Sequence, residues 1–498
     1  MNPLYSSKFG PWILGVVIFA GVAVGVVILG LLAATVTVRR AEVASIYNNK
    51  KVELSTNPLE SRNDRWGLNY PREYDSWQRT KEMDYSSKHL GNKFEDVLAA
   101  RPEMVAVWAG YLFSRDYNAP RGHWYTIEDM RATLRTGAPG VGELKDIQLA
   151  ACWNCKTPDV PRMMQQLGVE QYYKTPWSAL GSEMVNSIGC ADCHDPTTMK
   201  LTITRPSLSE AFKRWQGREI TEATNQEMRS LVCAQCHVEY YFKGPDRHVT
   251  FPFDKGITME QQEAYYDEIE FADWTHALSK TPLLKAQHPD YEIFLLGPHG
   301  EKGLSCADCH MPYVSEGGLK YSDHHLMSPL KNVAAACQTC HRESEENLKR
   351  FVYDRQDKAL EIRNRLEPEL VKAHVMAKAA IDNGATDEEL KPARKLIRSA
   401  HWRWDFGTAS HGASFHAPVE TMRILSHGLD KALQAQLVLK DLLYSYGVTE
   451  VEMPDLSTKA KAQEYIGLDM ATFRAQKAEF MKNVVPGWIK EAKAKGRI

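Results

Sequence analysis

All ten cysteines of the chain occur in pairs, with two residues between the cysteines of each pair. The pairs begin at Cys152, Cys190, Cys233, Cys306 and Cys337, so no cysteine is left over. A disulfide framework would show variable spacings, and a zinc ribbon uses two pairs for each tetrahedral site. Zinc sites of this kind would need an even number of pairs, whereas the chain has five, and the uniform spacing is unusual for disulfides. The regularity therefore indicates repeated attachment of a cofactor.

Four of the pairs are followed directly by histidine, which gives the motif C-x-x-C-H. Two thiols three positions apart can reach the two vinyl groups of one porphyrin, and the next histidine then lies beneath the iron as an axial ligand. We therefore predict covalently bound haem c at each of these motifs. They are Cys190–Cys193–His194, Cys233–Cys236–His237, Cys306–Cys309–His310 and Cys337–Cys340–His341.

The first pair differs, because Cys152-Trp-Asn-Cys155 is followed by Lys156. Either this pair binds no haem and Lys156 is merely exposed, or Lys156 ligates iron through its neutral amine. A free lysine has a pKa of about 10.4, so coordination must displace a proton. We favour ligation, which makes five haems in all. The unusual ligand then marks the haem at which a substrate binds.

Second axial ligands are expected among the remaining histidines. The chain has 17 histidines, of which the four C-x-x-C-H motifs use one each. Four electron-transfer haems need four more ligands, whereas the haem of Lys156 would keep an open site. The candidates are His123, His299, His324 or His325, and His411 or His416, while His89, His248 and His374 are predicted to be structural or exposed.

An apolar segment near the N-terminus predicts a membrane-spanning helix. No charged residue occurs from Gly10 to Val38, and a helix of this length crosses a hydrocarbon core of about 30 Å. The run exceeds the apolar core of about 7–15 residues in a signal peptide. We predict an export signal that can remain as an anchor. Arg39 and Arg40 would place the body in the cytoplasm by the positive-inside rule, but c-type haem is attached outside the membrane, so we predict a periplasmic location.

The remaining chain predicts helices and few strands. Thr136–Gly140 is a predicted loop, and residues 342–383 read as one long helix ending at Asn383-Gly384. Thr386 and Glu389 form a capping box that begins another helix, to about Trp404. We predict an all-α fold, a loop-rich multihaem core with long C-terminal helices and one N-terminal helix. The predicted parts are 1–40 (anchor), 41–341 (haem core) and 342–498 (long helices, including 419–446, with a distal haem ligand).

Composition excludes one class of function. Hydrophobic residues make up 43% of the chain and charged residues 25%, which suits a globular body. The formal net charge is only −2, which argues against a nucleic-acid-binding protein that works by bulk charge.

One lysine motif followed by four histidine motifs resembles the periplasmic, ammonia-forming cytochrome c nitrite reductases. Short runs in the same order carry the resemblance further, over about residues 60 to 450. They are Trp108–Tyr111, Ser114–Tyr117, Leu134–Pro139, Cys236–Tyr241, Lys280–His288 and Trp402–Asp405.

The resemblance implies an active site in which Arg135, Tyr240 and His288 line the open side of the Lys156 haem. It also implies a calcium ion beside this pocket, held by side-chain oxygens of Glu239 and Gln287. The carbonyl oxygens of Tyr240 and Lys285 would complete the site, as suits a hard cation. The implied distal ligands, in the order of the four histidine motifs, are His324, His123, His416 and His299. His325 and His411 stay open as alternatives.

The implied activity is the six-electron reduction of nitrite to ammonium. Arg135 and a protonated His288 would hold the nitrite oxygens, and Tyr240 would donate a hydrogen bond or relay protons. The resemblance further implies a homodimer paired through the long helices and a small quinol-oxidising multihaem membrane cytochrome as electron donor. Two alternatives remain, namely an electron-transfer cytochrome without substrate and a related reductase acting mainly on hydroxylamine or sulfite.

Overall fold

The structure is a computed structural model that describes residues 10–48, 51–54, 59–89, 91–141, 148–316 and 318–498, without the side chains of 44–48. Helices dominate this part of the chain, and its strands form two-stranded antiparallel hairpins. The predicted all-α class is confirmed. The hairpins are β1–β2, β3–β4 and β5–β6, with strands β1 (Tyr241–Lys243), β2 (His248–Thr250), β3 (Trp274–Thr275), β4 (Pro282–Leu283), β5 (Tyr313–Glu316) and β6 (Leu319–Ser322).

Apart from the long N-terminal helix, the first two thirds of the chain contain short helices and 3₁₀ turns. The helices are α1 (Gly10–Asn48), α2 (Asn63–Asn69), α3 (Pro71–Gln78), α4 (Val97–Ala100), α5 (Glu103–Val107), α6 (Thr126–Ala132), α7 (Val160–Leu167), α8 (Val169–Lys174), α9 (Cys190–Cys193), α10 (Pro206–Gln216), α11 (Asn225–Ala234), α12 (Met259–Glu268), α13 (Asp290–Leu295), α14 (Pro298–Glu301), α15 (Cys306–His310) and α16 (Val333–Ala336). The 3₁₀ turns are Arg79–Lys81, Leu112–Ser114, His123–Tyr125, Leu134–Thr136, Ala150–Trp153, Trp177–Leu180, Ile220–Glu222 and Pro329–Lys331.

Helix α1 is the apolar segment that the sequence predicts. Its stretch Gly10–Val43 is long and apolar enough to cross a membrane, and an 18-residue window within it has a mean hydropathy of 2.9 and no buried residue. The helix continues past the predicted boundary at residue 40, because Arg39 and Glu42 pair one turn apart at 3.5 Å and the next residues are also helix formers. The first nine residues of the predicted anchor lie outside the described residues.

Among the described residues, the C-terminal third contains three long helices, as predicted, and four shorter ones. They are α17 (Glu345–Asp382), α18 (Asp387–Ala409), α19 (Ala413–His416), α20 (Pro418–Ser445), α21 (Lys459–Tyr465), α22 (Met470–Asn483) and α23 (Val485–Ala494), of which α17, α18 and α20 are the long ones. The predicted capping box is present, since the Thr386 backbone N–H donates to the Glu389 carboxylate at 2.8 Å. Helix α18 runs beyond the predicted end at Trp404, because Phe406 and Ala409 are buried in its continuation.

The hydrophobic core joins distant parts of the sequence. One cluster packs Trp108 of the N-terminal half against Leu366 and Trp404 of the long helices. Another joins Trp153 to Phe480 of α22. Both clusters contain residues from either side of residue 341, and the division into parts at that residue stays a prediction.

Candidate haem sites and active site

Each C-x-x-C-H motif folds as one helical turn. The backbone N–H of His194, His237 and His341 donates at 2.9 Å to the carbonyl of the first cysteine of its own motif. Both thiols and the imidazole therefore project from a single turn, as attachment to one porphyrin requires. The lysine motif is wound more tightly, because the Lys156 N–H donates to Trp153 O, three residues back, at 2.9 Å.

Three of these histidines face the predicted distal histidine at one common distance. Two imidazoles bound to one metal by bonds of about 2 Å have ring centres about 6 Å apart. The ring centres are 6.3 Å apart for His194 and His324, 6.2 Å for His310 and His416, and 6.3 Å for His299 and His341. The residues present therefore fit an iron between each pair.

Hydrogen bonds fix the tautomer of several of these rings. Nδ1 of His194 lies 2.8 Å from Met199 O, Nδ1 of His310 lies 2.9 Å from Met327 O, and Nδ1 of His324 lies 2.8 Å from Ser322 O. A carbonyl oxygen only accepts, so each Nδ1 carries the proton and donates it. Nε2 of each ring is then left with a lone pair for a metal.

The two open alternatives occupy different places from the predicted ligands. His325 points towards Glu82, with 3.7 Å between Nε2 and the carboxylate, whereas His324 faces His194. His411 lies 6.4 Å from His288, ring centre to ring centre, whereas His416 faces His310. Distance alone does not define a pair, since His237 and His288 are also 6.3 Å apart.

His123 is partly buried and lies beside His237, the histidine of the motif that begins at Cys233. Burial, and then the charges of His237 and Lys156, lower the pKa of His123 to about 4. The 3₁₀ turn His123–Tyr125 follows Gly122, whose Cα approaches the carbonyl of Thr80 so closely that a Cβ would lie 2.0 Å from that oxygen. Gly122 thus allows the chain to bring His123 inwards.

Neighbouring motifs approach each other at their cysteines. The thiols of Cys155 and Cys236 lie close enough for each to shift the pKa of the other, and so do the thiols of Cys233 and Cys306. The motifs that begin at residues 152, 233 and 306 therefore form a continuous series.

Arg135 lies in the 3₁₀ turn Leu134–Thr136, close to the lysine motif. Its Nε donates to Thr133 Oγ1 at 3.2 Å, and its guanidinium carbon lies 4.3 Å from the centre of the Phe113 ring. Gln148 connects the turn to the motif, since its amide donates to Arg135 O at 3.2 Å and accepts from Cys152 Sγ at 3.1 Å. Sequence reasoning missed Gln148, because one glutamine outside any motif carries no signal.

His288 and Tyr240 also lie close enough to the lysine motif to feel its charges. Burial, and then the charge of Lys156, hold the pKa of His288 well below its ordinary value. Burial, and then the thiols of Cys155 and Cys152, raise the pKa of Tyr240 well above its ordinary value. Tyr240 therefore keeps its phenolic proton, and His288 is neutral unless an anion approaches it.

The four predicted calcium ligands lie around one buried carboxylate. Glu239 is fully buried, and its two oxygens accept from Tyr266 Oη at 3.0 Å and from the Gln287 N–H at 2.6 Å. The Gln287 amide donates to Lys285 O at 3.4 Å. The described residues hold no group of three or more His, Cys, Asp or Glu side chains that could bind a metal, and the predicted site uses only one such side chain.

Charge around Glu239 favours a cation. Burial raises the pKa of Glu239 well above its ordinary value, and nearby Glu292 and Asp273 raise it further, although the Gln287 N–H opposes them. A divalent cation would offset this accumulation of buried negative charge. The oxygen donors present therefore fit calcium.

Asp405 anchors the segment that carries these ligands. Its carboxylate accepts from Lys285 Nζ at 2.8 Å and from the Ala286 N–H at 3.0 Å. Sequence reasoning found Asp405 only as the last residue of a matching run and missed this role. An aspartate on the buried face of α18 is the signal that could have revealed it.

A chain that folds four C-x-x-C-H turns, three of them with a further imidazole at a metal-bridging distance, is a multihaem c-type cytochrome. The sequence profile of the cytochrome c552 family matches residues 62–496. The chain belongs to the cytochrome c552 family, which confirms the resemblance seen in the sequence.

Relatives share almost the whole length of the chain. Cytochrome c-552 of Parabacteroides distasonis is 60% identical over 485 residues, 97% of each chain. Cytochrome c-552 of Maridesulfovibrio salexigens is 44% identical over 493 residues, 97% of this chain and 96% of that protein. Among solved structures, the catalytic subunit of cytochrome c nitrite reductase from Desulfovibrio desulfuricans, which has two calcium sites, matches with a TM-score of 0.72 and 28% identity over 84% of this chain and 91% of that chain.

Proposed function

We propose that the protein reduces nitrite to ammonium, a six-electron reaction, at a haem ligated by Lys156. The observation that carries the proposal is that His288 and Tyr240 converge on the one motif in which lysine replaces histidine. The similar structure of a nitrite reductase supports the choice of substrate. Five covalent haem c groups, one for each cysteine pair, would supply the electrons and the iron site for the anion.

The chain's own residues would bind the anion and deliver protons. Arg135 is held over the Phe113 ring, so its remaining N–H groups can donate to nitrite oxygens. The negative charge of nitrite would raise the low pKa of neighbouring His288 and so allow it to take up a proton for transfer. Tyr240 keeps its proton and can donate a hydrogen bond or relay protons.

The buried Glu239 and Gln287, with the carbonyls of Tyr240 and Lys285, would hold calcium. Glu239 and Tyr240 are adjacent in sequence, as are Gln287 and His288. A calcium ion on this set would therefore fix both catalytic side chains through their neighbours in the chain.

The four histidine motifs would serve electron transfer. Their proposed axial pairs are His194 with His324, His237 with His123, His310 with His416 and His341 with His299. The proximity of thiols in neighbouring motifs supports close approach of neighbouring haems, with the lysine motif at one end of the series.

The proposed location is the periplasm, with α1 as an anchor in the cytoplasmic membrane. A small quinol-oxidising multihaem membrane cytochrome would be the electron donor. The proposed homodimer would use the long helices, since Leu433, Leu437 and Tyr444 of α20 are exposed and lie on one face of the helix.

The test is turnover of nitrite by the purified full-length protein, with ammonium quantified against electrons consumed. We expect one ammonium for six electrons and one high-spin haem in the electron paramagnetic resonance spectrum. Five low-spin haems would instead indicate an electron-transfer cytochrome, and faster turnover of hydroxylamine or sulfite would indicate the related reductase. Lys156→His should retain all five haems but lower nitrite turnover by about tenfold or more, the scale on which changes at a metal site act.

A further inference from the structure

Helix α22 carries a buried lysine next to the turn that holds Arg135. Lys477 is only 6% exposed, although lysine is almost never fully buried unless it is paired. Its ammonium donates to Arg131 O at 3.0 Å and to Thr136 Oγ1 at 3.0 Å. These acceptors lie in α6 and in the 3₁₀ turn that follows it, so Lys477 bridges the two elements before and after Thr133.

No carboxylate of the described residues forms an ion pair with Lys477. Burial lowers its pKa to about 8, and Asp116 opposes that effect from a distance. Asp116 itself accepts from Thr133 Oγ1 at 2.9 Å and from the Leu134 N–H at 3.1 Å. Because a methionine could fill the same space without burying a charge, the packing alone does not explain a lysine here.

The other hydrogen bonds of the turn lead from Lys477 to the guanidinium of Arg135. Thr136 Oγ1, which accepts from Lys477, donates to the carbonyl of Thr133 or of Met130, at 3.0 and 3.2 Å. Thr133 Oγ1 in turn accepts from Arg135 Nε at 3.2 Å. Lys477 thus fixes the backbone that orients Arg135.

We infer that Lys477 is a positioning residue for Arg135, acting through Thr136 so that the guanidinium is already oriented when a small oxyanion binds. The inference rests on the proposed function for the identity of that anion, nitrite. Orientation before binding lowers the cost of forming the complex. Loss of Lys477 therefore weakens nitrite binding and leaves haem attachment intact.

The test compares full-length holoprotein variants by optical titration of the oxidised haems with nitrite, without electron donor. Lys477→Met should raise the dissociation constant about tenfold, which corresponds to about 1.4 kcal/mol. Lys482→Met, at an exposed lysine of the same helix, is the matched control and should leave it unchanged. In turnover, we expect KM to rise by a similar factor while kcat changes less than about twofold.

A double-mutant cycle separates positioning from a general loss of stability. If Lys477 acts through Thr136, Lys477→Met and Thr136→Val together should weaken nitrite binding hardly more than either change alone. Additive effects, or unchanged affinity in Lys477→Met, would overturn the inference. Binding without ammonium formation in the wild type would contradict the proposed function alone, whereas no nitrite binding at all would overturn both.

Discussion

At the scale of single residues, the motifs could be read from the sequence and their partners only in part. The C-x-x-C-H spacing is local chemistry, so it predicts the turns that the structure contains. The distal histidines lie up to 130 residues from their motifs, and nothing local distinguishes His324 from His325. The structure distinguishes them, because the ring of His324 faces His194 whereas the ring of His325 lies near Glu82.

This separation predicts different outcomes for two adjacent substitutions. In His324→Ala, the haem at Cys190 and Cys193 should stay covalently bound but lose one axial ligand, so one low-spin signal becomes high-spin. His325→Ala is the matched control and should leave all signals unchanged, because the His325 ring lies near Glu82, whereas His324 faces His194. Electron paramagnetic resonance with spin quantitation checks both, and a new high-spin signal in His325→Ala would contradict the assignment.

Glu239 carries a second prediction at this scale. A calcium ion at the proposed site would hold this carboxylate ionised despite burial, so chelation should let it protonate and release the segments of Tyr240 and His288. We expect nitrite turnover to fall by about 10-fold to 100-fold on calcium removal. Proton and calcium compete for Glu239, so the calcium affinity should fall as the pH is lowered.

Calcium titration of chelated protein, followed by turnover and by inductively coupled plasma analysis, measures this effect. Restoration by calcium but not by magnesium is expected, because magnesium demands a tighter octahedral site. In Glu239→Gln, low turnover should persist at saturating calcium. Full activity of metal-free protein would refute the role of calcium.

At the scale of elements, the bounds of a helix could be predicted from the sequence where the helix is long and capped. They could not be predicted where tertiary packing determines them. The box at Thr386 and Glu389 gave the start of α18, but its end at Ala409 depends on burial of Phe406. The two-residue strands Trp274–Thr275 and Pro282–Leu283 are too short for any alternation to be recognised. That hairpin nonetheless leads directly into Lys285–His288, so an unpredictable element positions much of the candidate site.

Close packing of two ligand-bearing elements gives a prediction at Gly297. A Cβ on this residue would lie 1.8 Å from the carbonyl oxygen of His416, and Gly297 caps α14, which carries His299. Gly297→Ala must therefore push apart two segments that each hold a proposed haem ligand. We expect a loss of about 1–3 kcal/mol in the free energy of unfolding and altered spectra of the fourth and fifth haems.

The matched control is Gly487→Ala in α23, where no atom lies within 4 Å of the added methyl group. This change should stabilise the protein by about 0.4–1 kcal/mol, because alanine has less conformational freedom to lose. Thermal unfolding and low-temperature optical spectra distinguish the two variants. Equal stability of both would show that the contact between Gly297 and His416 relaxes easily.

At the scale of the whole molecule, the exposed apolar surface is concentrated on two helices. Helix α1 is apolar all round, and it is unburied throughout the stretch that suits a membrane. Helix α20 is buried against its neighbours on one side but exposes Leu433, Leu437 and Tyr444 on the other. The sequence predicted the membrane helix from length and composition and the pairing helices only through the family resemblance, whereas the exposed face of α20 became evident only once its buried face was known.

This exposed face predicts that pairing of two copies depends on α20. Leu437 is 65% exposed, so a lysine there leaves the single chain folded but brings two like charges into any symmetric contact around this helix. Leu437→Lys should therefore shift the detergent-solubilised protein from dimer to monomer. Its haem content should be unchanged, because each chain still folds. Leu68→Lys, at a leucine of α2 that is 49% exposed, is the matched control and should stay dimeric. Sedimentation velocity measures the outcome, and a dimer that persists in Leu437→Lys would place the interface on another face of the molecule.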